Sequence, residues 1–413
     1  MRTPSLVPVL AVVLAAHAPA ARTAPAVSSL LVTAVPSPAG SDSAQPQLTV
    51  SDRGVLLSWI EKAGTRATLK FAERTSSGWT DPRVAASGDD WFVNWADVPS
   101  VLRLADGSLT AHWLQKSAPD TYAYDVRLAY STDEGQTWSA SFTPHHDGTK
   151  TEHGFASLVP MPGAGLGLVW LDGRAMKPES HGHGGGAMSV RWATFDRTWK
   201  QTSEVLVDGR VCECCPTSAA VTADGPIAAF RDRSEQEVRD ISVSRVENGQ
   251  WNEPAPVHDD GWTIRACPVN GPALSAYGRH VAIAWFTVKE AQGRAYTAFS
   301  TDAGRTFGAP IRLDDAGSLG RVDVELLQDG SALATWIEFS DARAQFRARL
   351  LHPSGTASPA VTIAGIEGSR TSGYPRAARH GDELVFAWTE SKDGRLRVQT
   401  ATARVPAATE SLD

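Results

Sequence analysis

The 413-residue sequence predicts an all-β protein, a β-propeller of four-stranded antiparallel blades, and three repeated features predict it. An apolar strand ending in Trp or Phe recurs seven times, a turn signal precedes each copy, and an alternating run follows. The apolar strands are Leu56 to Trp59, Leu109 to Trp113, Leu166 to Trp170, Ile227 to Phe230, Val281 to Trp285, Leu333 to Trp336 and Leu384 to Trp388. Their aromatic ends lie 54, 57, 60, 55, 51 and 52 residues apart. Units at such spacing bury their faces only by stacking on neighbours. Seven units across residues 29–405 favour seven blades in one domain, or six if a terminal unit is incomplete.

Each element of the unit has its own signal. The turns Asp52-Arg53-Gly54, Asp106-Gly107, Gly163-Ala164-Gly165, Asp224-Gly225, Gly278, Asp329-Gly330 and His380-Gly381-Asp382 each follow an apolar run, so strands A and B form a hairpin. Strand C is the alternating run, as in Val126, Leu128, Tyr130, or Val190, Trp192, Thr194, or Tyr296, Ala298, Ser300. A second turn leads to strand D. It reads Ser131-Thr132-Asp133-Glu134-Gly135-Gln136-Thr137-Trp138 in unit 2 and Ser300-Thr301-Asp302-Ala303-Gly304-Arg305-Thr306-Phe307 in unit 5. The Asp accepts backbone N–H bonds inside such a turn, and Gly permits a positive φ. Shorter versions stand at Ser77-Gly78-Trp79, Asp196-Arg197-Thr198-Trp199 and Asn248-Gly249-Gln250-Trp251. Leu30 to Thr33 is placed to supply the last strand of the seventh unit.

The two full turns resemble the Asp box, S-x-D-x-G-x-T-W/F, and through them the chain resembles the Asp-box (BNR repeat) sialidase-like β-propeller superfamily. That resemblance implies a propeller over nearly the whole chain. It implies activity less specifically, because such boxes occur in glycosidases, in carbohydrate-binding proteins and in propellers without a glycan role. Sialidases of this type hold the substrate carboxylate with three arginines and use a Tyr nucleophile, an assisting Glu and an Asp acid/base. Where an Arg-Ile-Pro motif would carry the first arginine, this chain reads Asp97-Val98-Pro99.

Composition narrows the function classes. The formal charge is -7, and no run of Lys and Arg interleaves with aromatics, so nucleic acid is not an expected partner. Met1 and Arg2, the apolar stretch Leu6 to Ala16 and small residues through Ala20 predict a cleaved signal peptide over residues 1–20, a linker over 21–28 and a periplasmic or secreted protein. The stretch is too short to span a bilayer, and no later segment qualifies. Residues 406–413 read as a tail.

Strand alternation puts the A–B and C–D turns at one end of each blade, and the segments before strand A, with the B–C loops, at the other. Groups from several blades converge there on the channel mouth. All four cysteines of the chain fall at that position: Cys212, Cys214 and Cys215 before strand A of unit 4, and Cys267 before strand A of unit 5. Thiolates in that number suit copper(I) or zinc, with His153 or the Gly-rich-loop histidines His181 and His183 as further ligands. Oxidation to two disulfides is the competing outcome in an exported protein. The His-Gly loop also reads as a solvated insertion, and His145-His146-Asp147 either reaches the mouth or caps a strand.

A second set of mouth residues supports an enzyme reading. Asp97, Asp172, Arg174, Glu213, Arg231 and Tyr374, with Arg265 and Arg370, could form an anion pocket with an acid/base, as an exo-acting sialidase-like glycoside hydrolase requires. A mutually paired Asp/Arg network holding loops in place fits the same residues. The expected ligand is therefore a metal ion or a small anionic or glycan molecule, with a disulfide-tied protein-binding scaffold as the third alternative.

Overall fold

The computed structural model describes residues 30–176, 186–340 and 343–406, and these form seven antiparallel sheets in a ring. The predicted signal peptide, His181 and His183 lie outside the described residues. The innermost strands are Ser43–Ser51, Ser100–Arg103, His153–Met161, Ser218–Thr222, Ala273–Tyr277, Ser318–Leu326 and Arg376–His380. They begin blades 1 to 7 and line a central channel with a cavity of about 290 Å³. Among the described residues there is no α-helix, only the 3-10 turns Pro162–Ala164 and Arg370–Ser372, and no helix long and apolar enough to cross a membrane.

Every recurring apolar run lies in the second strand of its blade, for example Gly54–Ala63, Gly165–Asp172 and Ala332–Ser340. These strands are apolar on both faces because sheets pack on either side of them. Trp59, Trp170 and Trp336 are fully buried. Between blades 1 and 2 the apolar layer contains Leu56, Phe71, Leu109 and Trp113, and between blades 4 and 5 it contains Ile227, Ile283 and Trp285. Side chains also lace the inner strands together. Thr49 Oγ1 donates to Val101 O at 2.7 Å, Thr217 Oγ1 to Phe155 O at 2.8 Å, and Ala377 N to Asp323 Oδ2 at 3.0 Å.

The two full S-x-D-x-G-x-T turns close with the same bonds. Thr137 N donates to Asp133 Oδ1 at 2.9 Å, and Gly135 N to Ser131 Oγ at 2.9 Å. Thr306 N and Gly304 N repeat this pattern with Asp302 and Ser300 at 2.9 and 3.0 Å. Gly135 holds φ +78, and a Cβ there would sit 2.6 Å from Phe71 Cζ, so conformation and space both call for Gly. Trp138 packs beside Phe71, with ring centroids 6.1 Å apart.

The ring closes with a strand from the N-terminal side. Thr33–Val35 pairs antiparallel with Arg395–Arg404 of blade 7, while Leu30 packs among Leu384, Phe386 and Trp388. The closing strand therefore starts three residues later than the apolar run Leu30 to Thr33 suggests, because Leu30 serves as a packing anchor. Blade 2 is the least regular, with three strands and only an isolated bridge between Leu128 and Phe142 in fourth position.

Candidate functional site

The cysteine loop runs from the end of blade 3 into the inner strand of blade 4. Its start is tied down by Cys212 N donating to Arg231 O at 3.0 Å. Gly271 of blade 5 lies so close to Pro216 that a Cβ would strike its carbonyl. This approach lets Asn270 N donate to Cys215 Sγ at 3.4 Å. Cys212 Sγ then stands 3.2 Å from Cys215 Sγ and 3.8 Å from Cys214 Sγ. These separations exceed the bonded distance of about 2.05 Å, and all four cysteines are free. Cys267, from blade 5, shares a hydrogen bond with Cys214. Cys212 and Cys215 are buried, Cys214 is half-buried and Cys267 is exposed, so the cluster opens toward solvent on one side.

Buried charge surrounds it. Arg239 Nη1 donates to Cys212 Sγ at 3.3 Å and to Glu213 Oε2 at 3.1 Å. Its Nη2 meets Glu237 Oε2 at 2.9 Å. Arg233 pairs with Glu213 and, at 2.7 Å, with Glu237. Burial pushes the Cys212 thiol up, but bonds from Cys214 and Cys215 and the Arg239 charge outweigh it and hold the group well below its ordinary range. Cys214 is raised, chiefly by its bond to Cys212, and Cys215 is raised by burial. The bond from Cys214 brings Cys267 down to about 7.

Near the thiols stands Glu152, half-buried, and next to it Asp97, fully buried. Asp97 Oδ2 accepts from Phe155 N at 2.7 Å, and its Oδ1 has no partner. Tyr124 OH donates to Glu152 Oε1 at 2.6 Å. Burial raises Asp97 to about 7 and Glu152 to about 8. Across the mouth, Tyr374 OH donates to Val269 O at 2.7 Å, its ring stacks on Trp95 at 6.0 Å, and Arg321 lies over the same Trp95 at 4.7 Å.

His153 follows Glu152 in sequence but faces elsewhere, as alternation along a strand requires. Its ring stacks on His145 at 3.8 Å and 4° between blades 2 and 3. Asp125, Asp147 and Asp172 surround the pair. Sequence reasoning placed His153 with the thiols and did not single out Asp125. The only signal was the spacing of His145, Asp147 and His153, which does not show that Asp125 faces them from another strand.

The structure places the remaining predicted residues as follows. Asp172 is fully buried; it accepts from Trp170 Nε1 at 2.9 Å and takes both Nε and Nη2 of Arg174 at 2.7 Å. Arg231 is buried, with Nε, Nη1 and Nη2 each donating to a carbonyl, those of Asn270, Arg239 and Phe286. Glu213 is paired with the two arginines above, and Arg265 and Arg370 are exposed. Cys212, Cys214, Cys215 and Cys267 come together; Asp97 stands near Glu152, while Asp172 and Arg174 belong to the histidine cluster.

No family model matches the chain, and no curated protein sequence matches it. Among solved structures, the polysaccharide lyase Uly1 is similar over 88% of this chain and 90% of its own, at 11% identity and a TM-score of 0.54. A protein of unknown function from Dyadobacter fermentans is similar over 91% and 97%, at 15% identity and a TM-score of 0.52. A polysaccharide lyase of family PL25, an ulvan lyase bound to -[GlcA(1-4)Rha3S]-, is similar over 78% and 80%, at 12% identity and a TM-score of 0.50. At these identities the likeness is one of fold, a β-propeller shared with proteins that act on polysaccharides.

Proposed function

We propose that this is an exported β-propeller of Asp-box type whose channel mouth binds a soft metal ion, copper(I) or zinc, through Cys212, Cys214, Cys215 and Cys267. The observation that carries the reading is the convergence of three free sulfurs, Cys212, Cys214 and Cys215, on one point beside Arg239, with Cys267 of the next blade interacting with Cys214. A metal–sulfur bond of about 2.3 Å in tetrahedral geometry sets ligand sulfurs roughly 3.8 Å apart, and Cys212 and Cys214 stand at 3.8 Å. Several thiolates around one cation leave surplus negative charge, and the Arg239 guanidinium offsets part of it. Sulfur-only ligation favours copper(I) over harder ions. The half-open side at Cys214 and Cys267 suits uptake and release of an ion.

The glycoside hydrolase reading has less support in the geometry. Arg231, Tyr374 and Asp172 spend their polar atoms on internal partners, and Asp97, which lines the central channel, keeps one oxygen on Phe155 N. The expected competition experiment is therefore with metal. Copper(I) titrated against a chromogenic chelator should be captured at one ion per chain, and Cys212→Ser or Cys215→Ser should release it. Equal capture by those variants, with their folds intact, would remove the proposal.

A further inference from the structure

We infer that the cluster between blades 2 and 3 is a second metal site, for a divalent ion of borderline hardness such as zinc. His145, His153 and Asp125 would be its ligands, with Asp147 and Asp172 as fixed carboxylates behind the rings. It is independent of the thiol cluster. Three elements build it: Asp125 from the strand Tyr124–Ser131, His145 and Asp147 from the connection leaving blade 2, and His153 from the first residue of His153–Met161.

Acceptors face one another in this cluster without enough protons between them. Asp147 Oδ2 faces His145 Nδ1 at 3.1 Å and His153 Nε2 at 3.3 Å at one end of the stacked rings; protons on those nitrogens turn the lone pairs of His145 Nε2 and His153 Nδ1 toward Asp125 Oδ1, at 3.8 and 3.6 Å. Thr151 O stands 3.2 Å from His153 Nδ1. His145 Nε2, His153 Nε2 and Asp125 Oδ1 are buried atoms with no hydrogen bond, and both rings are more than nine-tenths buried. Unpaired buried polar atoms are costly. Two of them, His145 Nε2 and Asp125 Oδ1, meet His153 Nδ1 in one space and call for a shared cation.

Charge leads to the same conclusion. Asp125, Asp147, Asp172 and Glu204 face two guanidinium groups, Arg174 and Arg191, which leaves two negative charges. Arg127 and Lys150 act on Asp125 only from outside contact range. Protonating both imidazoles would supply the balance, but two like charges on rings stacked at 3.8 Å repel. One divalent ion neutralises the site with both rings uncharged. Imidazole with carboxylate selects zinc-like ions over copper(I), which prefers sulfur. Asp172, held by Arg174 and Trp170, keeps its oxygens occupied and fixes the wall beside His153.

Cobalt(II) is the probe, because its spectrum reports donor type. The full chain carrying Ser at all four cysteine positions should bind one cobalt(II) ion per chain, with visible ligand-field bands and no thiolate charge-transfer band. His145→Ala and Asp125→Asn should each weaken that binding by at least the roughly 10- to 100-fold that follows loss of a group merely orienting a ligand. No bound ion in a folded thiol-free chain, or binding that survives both substitutions, would overturn the inference. If the thiol-free chain does not fold, the difference spectrum between the unmodified chain and His145→Ala decides: thiolate-free bands lost with His145 support the site, and identical spectra refute it. Loss of copper(I) capture without loss of these bands would separate failure of the thiol reading from failure of this one.

Discussion

Asp97 shows what burial does to a single group at the mouth. Its carboxyl accepts one N–H bond from Phe155, leaves Oδ1 unpartnered, and is pushed by burial from an ordinary 3.8 to about 7. Since the folded value is the higher one, the folded chain binds more protons than the unfolded chain between those values. Stability from this group is then greatest at low pH and declines as pH rises from about 4 to about 7. Thermal unfolding of Asp97→Asn should therefore show a shallower fall over that window than the unmodified chain, and parallel curves would contradict the assignment. The thiols need a different explanation, because Cys212 is drawn down by its sulfur neighbours and Arg239 against its own burial. Neither effect could be read from the sequence, since neither Phe155 nor Arg239 is near its partner along the chain.

At the scale of elements, the second strands of the blades were the most legible feature. Runs such as Leu166 to Trp170 are apolar on both faces because sheets cover both, and no other environment in a soluble β fold demands this so regularly. The A–B turns were legible for a different reason, being short and rich in Asp and Gly. The fourth strand of blade 2 was not, since Phe142 makes a single bridge and no alternating run marks it. The histidine cluster escaped because it forms across two blades, and the repeat period says which residues are equivalent but not which ones face each other. The closing strand was nearly legible; it starts three residues later than the apolar run Leu30 to Thr33 because Leu30 packs as an anchor. Leu30→Ala should remove packing against Phe386 and Trp388 and lower stability by about 2–5 kcal/mol, the usual range for buried Leu truncations. An unchanged denaturation midpoint would mean that the ring does not depend on that contact.

Taken as a whole, the molecule is a rigid ring that brings loops from non-adjacent parts of the sequence to one mouth. Cys215 and Asn270 meet because blades 4 and 5 press together at Pro216 and Gly271, and Tyr374 reaches across from blade 7 to Val269. The position of all four cysteines before two neighbouring inner strands was visible in the sequence; their 3.2 and 3.8 Å separations and the absence of a disulfide were not. The most direct test of the central claim is the metal content of the purified chain, measured beside its free thiols after denaturation, without added chelator or reductant. About one copper or zinc ion attributable to the thiols, with four thiols released on unfolding, is the expected result. A chain with no such metal and no titratable thiols would contradict it and make the cysteines structural.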